Sequence, residues 1–220
     1  MCTKYISPEM GDIERHWHVG SRTSQPWPRE VFPGYQAPFI RPTGQDLELV
    51  VGQWGLIPFF ANERKLKFPT SNARSEELPQ KASYKGPWAR GQRCIIPAQA
   101  FYEPCWETGR HVPWRFQRAD GTPWGLAGLW NRWTDPESGE LLESFTMLTQ
   151  NADQHSLMNR MHKPDRQLPP RLQDKRCIVP IHPLDIKTWL TGSIADAQAL
   201  VRLPAVEDFE SQHEAPPSLF

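Results

Sequence analysis

The chain has 220 residues, 38% of them apolar and 11% aromatic, which suits a single domain with a buried core. Its 25 Lys and Arg are balanced by 25 Asp and Glu, so no overall field draws it to a polyanion or an anionic membrane, while a local basic groove stays compatible with the total. No apolar run approaches the ~20 residues that span a bilayer. No basic segment followed by an apolar one reads as a secretory signal, so a cytoplasmic setting with reduced cysteines is expected.

The 23 prolines predict short elements and irregular connections rather than long helices. Residues 8–19 read as a short helix or turn, and 20–46, rich in Pro, Ser and Gly, as an extended, ordered loop. Glu48 to Leu56 is β-branched and apolar and predicts a buried strand. Residues 72–90 predict one or two short helices. Arg93 to Pro97 and Ala98 to Glu103 predict strands, and Pro113 to Arg118 a half-buried one. After the turn Ala119-Asp120-Gly121, Trp124 to Trp130 returns as a further strand. Glu143 to Thr149 reads as a strand, Asn151 to Arg160 as a helix and Arg176 to Ile181 as a strand. Pro183 to Leu190 and Ile194 to Val201 read as short helices. The polar tail from Ala205 reads as loosely held. The chain shows no repeats and no low-complexity linker. The fold class is α+β: one domain over 1–220, with short, mostly antiparallel strands forming a barrel-like, aromatic-rich core and short helices at its periphery.

Chemistry concentrates first at Cys2. Removal of Met1 leaves an α-amine and a thiol on adjacent carbons, a 1,2-aminothiol. The amine titrates near ~8 against ~10.4 for lysine, so much more of it is a free nucleophile at neutral pH. With an aldehyde the pair forms an imine and then closes to a thiazolidine. The bland alternative is that Cys2 merely follows the start codon. Cys94, Cys105 and Cys177 lie far apart in the sequence with no metal-type spacing.

Four further segments carry candidate groups, each with a structural alternative. In Ser71-Asn72-Ala73-Arg74-Ser75-Glu76, Asn72 offers an amide and Arg74 a phosphate-binding fork, or Ser71 or Asn72 caps a helix. In Ala100-Phe101-Tyr102-Glu103-Pro104, Glu103 is a proton-transfer group if it faces inward, or an outward acid on an alternating strand. In Met158-Asn159-Arg160-Met161-His162-Lys163-Pro164, His162 is a general acid or base, or a surface-loop histidine. In Gln53-Trp54-Gly55-Leu56-Ile57-Pro58-Phe59-Phe60, Trp54 reads as core, and Phe59 and Phe60 as core or as a stacking surface for single-stranded bases.

In this order, Met1-Cys2, Trp54-Gly55-Leu56-Ile57-Pro58, Asn72-Ala73-Arg74-Ser75-Glu76, Cys94-Ile95-Ile96-Pro97-Ala98 followed by Phe101-Tyr102-Glu103, and Arg160-Met161-His162 resemble the SOS response-associated peptidase family, whose members are known as abasic-site processing proteins. The resemblance implies recognition of abasic sites in single-stranded DNA and a thiazolidine crosslink to the ring-opened sugar aldehyde. It makes Cys2 the nucleophile, Asn72 the group orienting the N-terminus or sugar, Glu103 the acid/base and His162 a proton shuttle that contacts the sugar-phosphate. Lys4, Phe59, Phe60, Arg74, Arg160 and Lys163 become the DNA contacts, with a basic rim around one cleft that holds the four catalytic groups. Self-cleavage ahead of the cysteine is also implied by the family, and lyase cleavage through the imine is a further reading; a monomer without cofactor or metal is expected. The chain departs from the family pattern at Thr3-Lys4, at Phe59-Phe60, at Glu30-Val31-Phe32-Pro33 and after His162, where Lys163-Pro164-Asp165-Arg166 shifts or lengthens the loop. These departures bear on DNA affinity rather than on crosslinking chemistry. Two other readings stand beside this one: a thiol peptidase or amidase using Cys2, His162 and Asn72, and a non-catalytic binder of single-stranded or modified DNA.

Overall fold

The computed structural model describes residues 1–21, 25–169 and 171–213. Among them thirteen strands run in chain order: β1 (Lys4–Ile6), β2 (Gly20–Ser21), β3 (Glu30–Val31), β4 (Gln36–Thr43), β5 (Asp46–Trp54), β6 (Asn72–Arg74), β7 (Arg93–Ala98), β8 (Ala100–Cys105), β9 (Val112–Arg118), β10 (Trp124–Thr134), β11 (Leu141–Asn151), β12 (Arg176–Ile178) and β13 (Phe209–His213). Four short helices accompany them: α1 (Met10–Trp17), α2 (Ala82–Ala89), α3 (Ile186–Thr191) and α4 (Ile194–Ala199).

Strands β11, β10, β7, β4 and β5 pair in that order, and β5 returns to β11 through the parallel partners Gln53↔Ser144 and Trp54↔Phe145. The result is a closed five-stranded barrel. A second sheet, ordered β13-β9-β8-β1-β3, packs against it. Side chains alternate along each barrel strand and so divide into two cores. Phe39, Cys94, Ile96, Leu126, Phe145 and Met147 join Tyr5, Phe101 and Phe116 of the second sheet. Their neighbours Ile40, Ile95, Ala127 and Leu148 form the other core, which is covered by Ile13 and Trp17 of α1, Trp88 of α2, and Trp189 of α3. Burial on both faces explains why β7 reads as a continuous apolar run, buried at every position. Closure of so narrow a barrel needs glycine. A Cβ at Gly128 meets Cys94 Sγ, Ile96 Cδ1 and Thr146 O at 2.8 Å, and one at Gly52 meets Glu143 O at 2.8 Å.

The α+β class with a barrel-like aromatic core is therefore what the chain adopts, but three segments differ from their sequence reading. The stretch 20–46, expected as a loop, contains β4, a full barrel strand; residues 22–24 within it lie outside the described residues. Pro38 and Pro42 disguise β4, which meets β7 at the single register pair Ile40↔Ile95 and so has room for residues without a donor. The helix expected over Asn151 to Arg160 is instead the end of β11, a series of turns and a 3-10 turn at Met158–Arg160. Here side chains compete with the helix for backbone groups: Asn151 Oδ1 accepts from Asp153 N at 3.0 Å, and His155 Nδ1 accepts from Met158 N at 3.1 Å. The beginning of the tail is also ordered into β13, which pairs with β9 and buries Phe209; residues 214–220 lie outside the described residues. No helix among the described residues is long and apolar enough to cross a membrane.

Candidate active site

Strand β1 lies between β8 and β3, with Lys4 opposite Tyr102 and Tyr5 opposite both Phe101 and Val31. This pairing fixes the N-terminus beside the end of β8. Cys2 is fully buried, and its thiol donates to Lys4 O at 3.3 Å. Glu103, one residue beyond Tyr102, points inward and is 2% exposed, which settles the choice between an inward and an outward acid. Its Oε2 lies 3.6 Å from the Met1 α-amine and 2.7 Å from His162 Nε2.

Asn72 arrives on β6, which runs parallel to β11 with Asn72 opposite Met147. The indole of Trp54 holds the approach to β6 by donating to Ser71 O at 2.8 Å. Ala73 faces the helix-covered core, so Asn72 and Arg74 face the other way. Asn72 Nδ2 donates to Cys2 O at 2.8 Å. His162 follows the 3-10 turn at Met158–Arg160 and takes a left-handed backbone with φ of 60°, unusual for a non-glycine residue. Its N–H donates to Pro104 O at 2.7 Å, and Met161 forms a bridge with Cys105, so the end of β8 positions both Glu103 and His162.

Cys2, Asn72, Glu103 and His162 thus form one connected set. In the neutral tautomer that donates from Nε2 to Glu103, His162 Nδ1 is an acceptor. Three buried acceptors of the set have no hydrogen-bond partner among the described residues: Asn72 Oδ1, Glu103 Oε1 and His162 Nδ1. Burial, reinforced by the nearby Glu103 charge, pushes the Cys2 thiol up to about 12. The thiol is therefore protonated at neutral pH, and its reaction requires a group that takes the proton. Cys177 is also held high, first by burial and then by Glu103 and Cys2.

The proposed DNA contacts are more dispersed. Lys4 lies over the Tyr102 ring at 4.2 Å, with its ammonium 3.2 Å from Glu30. Arg74 is engaged by Asp174 and Glu77. Arg160 is engaged by Glu107 and stacks over Trp114 at 4.9 Å; Lys163 lies 5.6 Å from the Trp106 ring centre. The rim expected to be basic is thus largely charge-compensated. Phe59 and Phe60 are 68% and 42% exposed and meet edge to face, but they stand outside the connected set. Lys175 was not singled out in the sequence, yet its ammonium reaches the His162 backbone. The Trp106 and Trp114 rings beside Lys163 and Arg160 were not singled out either. Among the described residues, no group of three or more His, Cys, Asp or Glu side chains has a metal-binding arrangement. A separate cleft of about 430 Å³, lined by Arg118, Trp124, His182 and Arg202 among others, shares no residue with the set.

The family description "SOS response associated peptidase (SRAP)" matches residues 1–215. The chain belongs to this family. Abasic site processing protein YoqW of Bacillus subtilis is 32% identical over 165 residues, 72% of this chain and 66% of that protein. Abasic site processing protein HMCES of Xenopus tropicalis is 32% identical over 134 residues, 52% of this chain but only 39% of that longer relative. The crystal structure of a Bordetella bronchiseptica protein superposes with a TM-score of 0.86 and 34% identity, covering 98% of this chain and 100% of that one. The fold also recurs in a Bacteroides thetaiotaomicron protein, with a TM-score of 0.80 at 21% identity.

Proposed function

We propose that this chain processes abasic sites in single-stranded DNA by capturing the ring-opened sugar aldehyde on Cys2. The observation that carries the reading is the set of unpartnered polar atoms, Asn72 Oδ1, Glu103 Oε1 and His162 Nδ1, on the residues linked to one another or to the segment Met1-Cys2. Buried acceptors without donors are costly. Sugar hydroxyls and a Cys2 ammonium supply the missing donors. In this scheme Met1 is first removed, by a methionine aminopeptidase or by self-cleavage. Glu103, which holds the Met1 ammonium, then takes a proton from the Cys2 amine. The amine adds to the aldehyde carbon, and His162 and Glu103 pass a proton to the departing water as the imine forms. The thiol adds across the C=N bond, its proton passing to the nitrogen, and the thiazolidine closes. Lyase cleavage needs the open imine, so closure suppresses it.

The peptidase reading has less support. A thiol triad needs contact between nucleophile and base, whereas His162 bonds to Glu103 and the Cys2 thiol to Lys4 O. Asn72 donates to the Cys2 carbonyl rather than to that of Met1, so it anchors the strand instead of stabilising an oxyanion at the Met1–Cys2 bond.

The deciding experiment uses protein whose intact mass shows loss of Met1, incubated with a single-stranded oligonucleotide carrying one abasic site. An adduct resistant to denaturation, with the summed mass less one water, is expected, and Cys2→Ala abolishes it. Processed wild-type protein that yields no adduct excludes the crosslinking reading. Binding that persists unchanged in Cys2→Ala, without an adduct in either protein, supports a plain DNA binder instead.

A further inference from the structure

We propose that Lys175 is a positioning residue of the site, holding His162 against Glu103 by clamping the His162 backbone at the neck of the 163–174 loop. The inference rests on reading His162 as a working group of the site. Lys175 is only 6% exposed, and its ammonium donates to Met161 O at 2.7 Å and to His162 O at 2.5 Å. No carboxylate lies within ion-pair distance of it among the described residues. Placing a bare ammonium among backbone carbonyls is expensive, and burial pulls its pKa below the ordinary lysine value, with Asp153 opposing. Such a placement calls for a function that a neutral side chain would not serve.

The geometry supplies one. His162 has a left-handed backbone, which is unfavourable for a non-glycine residue and persists only where its surroundings dictate it. On its N-terminal side the Pro104 carbonyl holds it; on its C-terminal side the Lys175 ammonium does. Lys175 also fixes the start of the same segment. Its own N–H donates to Asp153 Oδ1 at 2.8 Å, and its carbonyl accepts from Ala152 N at 2.6 Å. One residue therefore ties both ends of 152–162. The loop that leaves at His162 returns at Lys175 and is organised separately by Gln173, whose amide bonds to Asp165, Leu168 and Pro169. The clamp insulates the imidazole from this loop.

The test compares Lys175→Met, Lys175→Arg and Gln173→Ala in the full, processed chain. The direct readout is the NMR signal of the hydrogen-bonded His162 imidazole N–H facing Glu103, which requires no DNA. In Lys175→Met this signal is lost, and the adduct-forming rate falls about 10- to 100-fold, as expected when a catalytic group is misplaced. Lys175→Arg, which keeps donors, recovers part of both. Gln173→Ala leaves both within about twofold, since only the loop interior changes. A folded Lys175→Met with the wild-type imidazole signal overturns the proposal. Should that variant not fold, ¹⁵N-lysine-labelled wild type decides: a slowly exchanging ammonium in contact with Met161 and His162 supports the clamp, and its absence overturns it. If wild type shows the imidazole signal but forms no adduct, the crosslinking reading fails while the clamp stands.

Discussion

Cys2 combines a reactive residue type with an environment that restrains it. Full burial and the Glu103 charge hold the thiol near 12, whereas an unfolded chain ionises near 9.0. The sign of the resulting linkage follows directly. A pKa raised in the folded state gives stability that is fully present below the unfolded value and is lost as pH rises toward the folded one. Between these limits the loss is about 1.4 kcal/mol per pH unit for each such group. Cys94 and Cys177 are raised by burial too and add to the slope. Urea unfolding measured from pH 7 upward is expected to show stability falling above pH ~9, with a shallower decline in Cys2→Ala. An identical slope in the variant would mean that the thiol ionises normally in the fold. At this scale the chain was partly legible. Cys2, Asn72, Glu103 and His162 could be picked out because they recur in a recognisable order. Lys175 could not: its partners are backbone carbonyls across a long loop, and no side-chain pattern marks such a pairing.

Among the elements, β11 carries the architecture. It pairs with β10, β12, β5 and β6, closing the barrel and seating the strand that brings Asn72. Such closure leaves little tolerance where strands approach most closely. Gly128→Ala puts a methyl 2.8 Å from Cys94 Sγ, Ile96 Cδ1 and a Thr146 carbonyl, two of the three on well-packed core side chains. It is expected to cost about 1–3 kcal/mol in chemical denaturation. A neutral substitution would show that the barrel yields at that crossing. Strands β5 and β7 to β11 were readable from apolar runs or alternation. The barrel strand β4 was not, because its prolines are a loop signal in sequence and only an under-paired neighbour makes them acceptable. The 152–160 segment misled for the opposite reason. Its residues suit a helix, but the Asn151 and His155 side chains claim backbone groups within the segment, and the Asp153 carboxylate ties it to the Lys175 backbone instead.

Taken as a whole, the molecule is neutral in sum, and two of its candidate DNA contacts are locally compensated as well. Arg74 and Arg160, both expected as DNA contacts, each meet a carboxylate. A strand of DNA has to compete with these partners, so affinity for undamaged DNA should be modest. Glu107→Gln releases Arg160 and is expected to tighten binding of an undamaged single strand at low salt. The salt dependence should steepen by about 0.7 in log–log slope for each phosphate gained. An unchanged slope would place Arg160 off the DNA path. The position of β1 inside its sheet, between β8 and β3, also bears on the timing of folding. When synthesis starts at Met1, Cys2 is the first candidate site residue to leave the ribosome, yet β8, the strand that covers β1, is made roughly 100 residues later. At roughly 5–20 residues per second that delay is on the order of ten seconds. An aminopeptidase that trims Met1 works most freely in this interval, before the bond it must cut is backed by a buried cysteine.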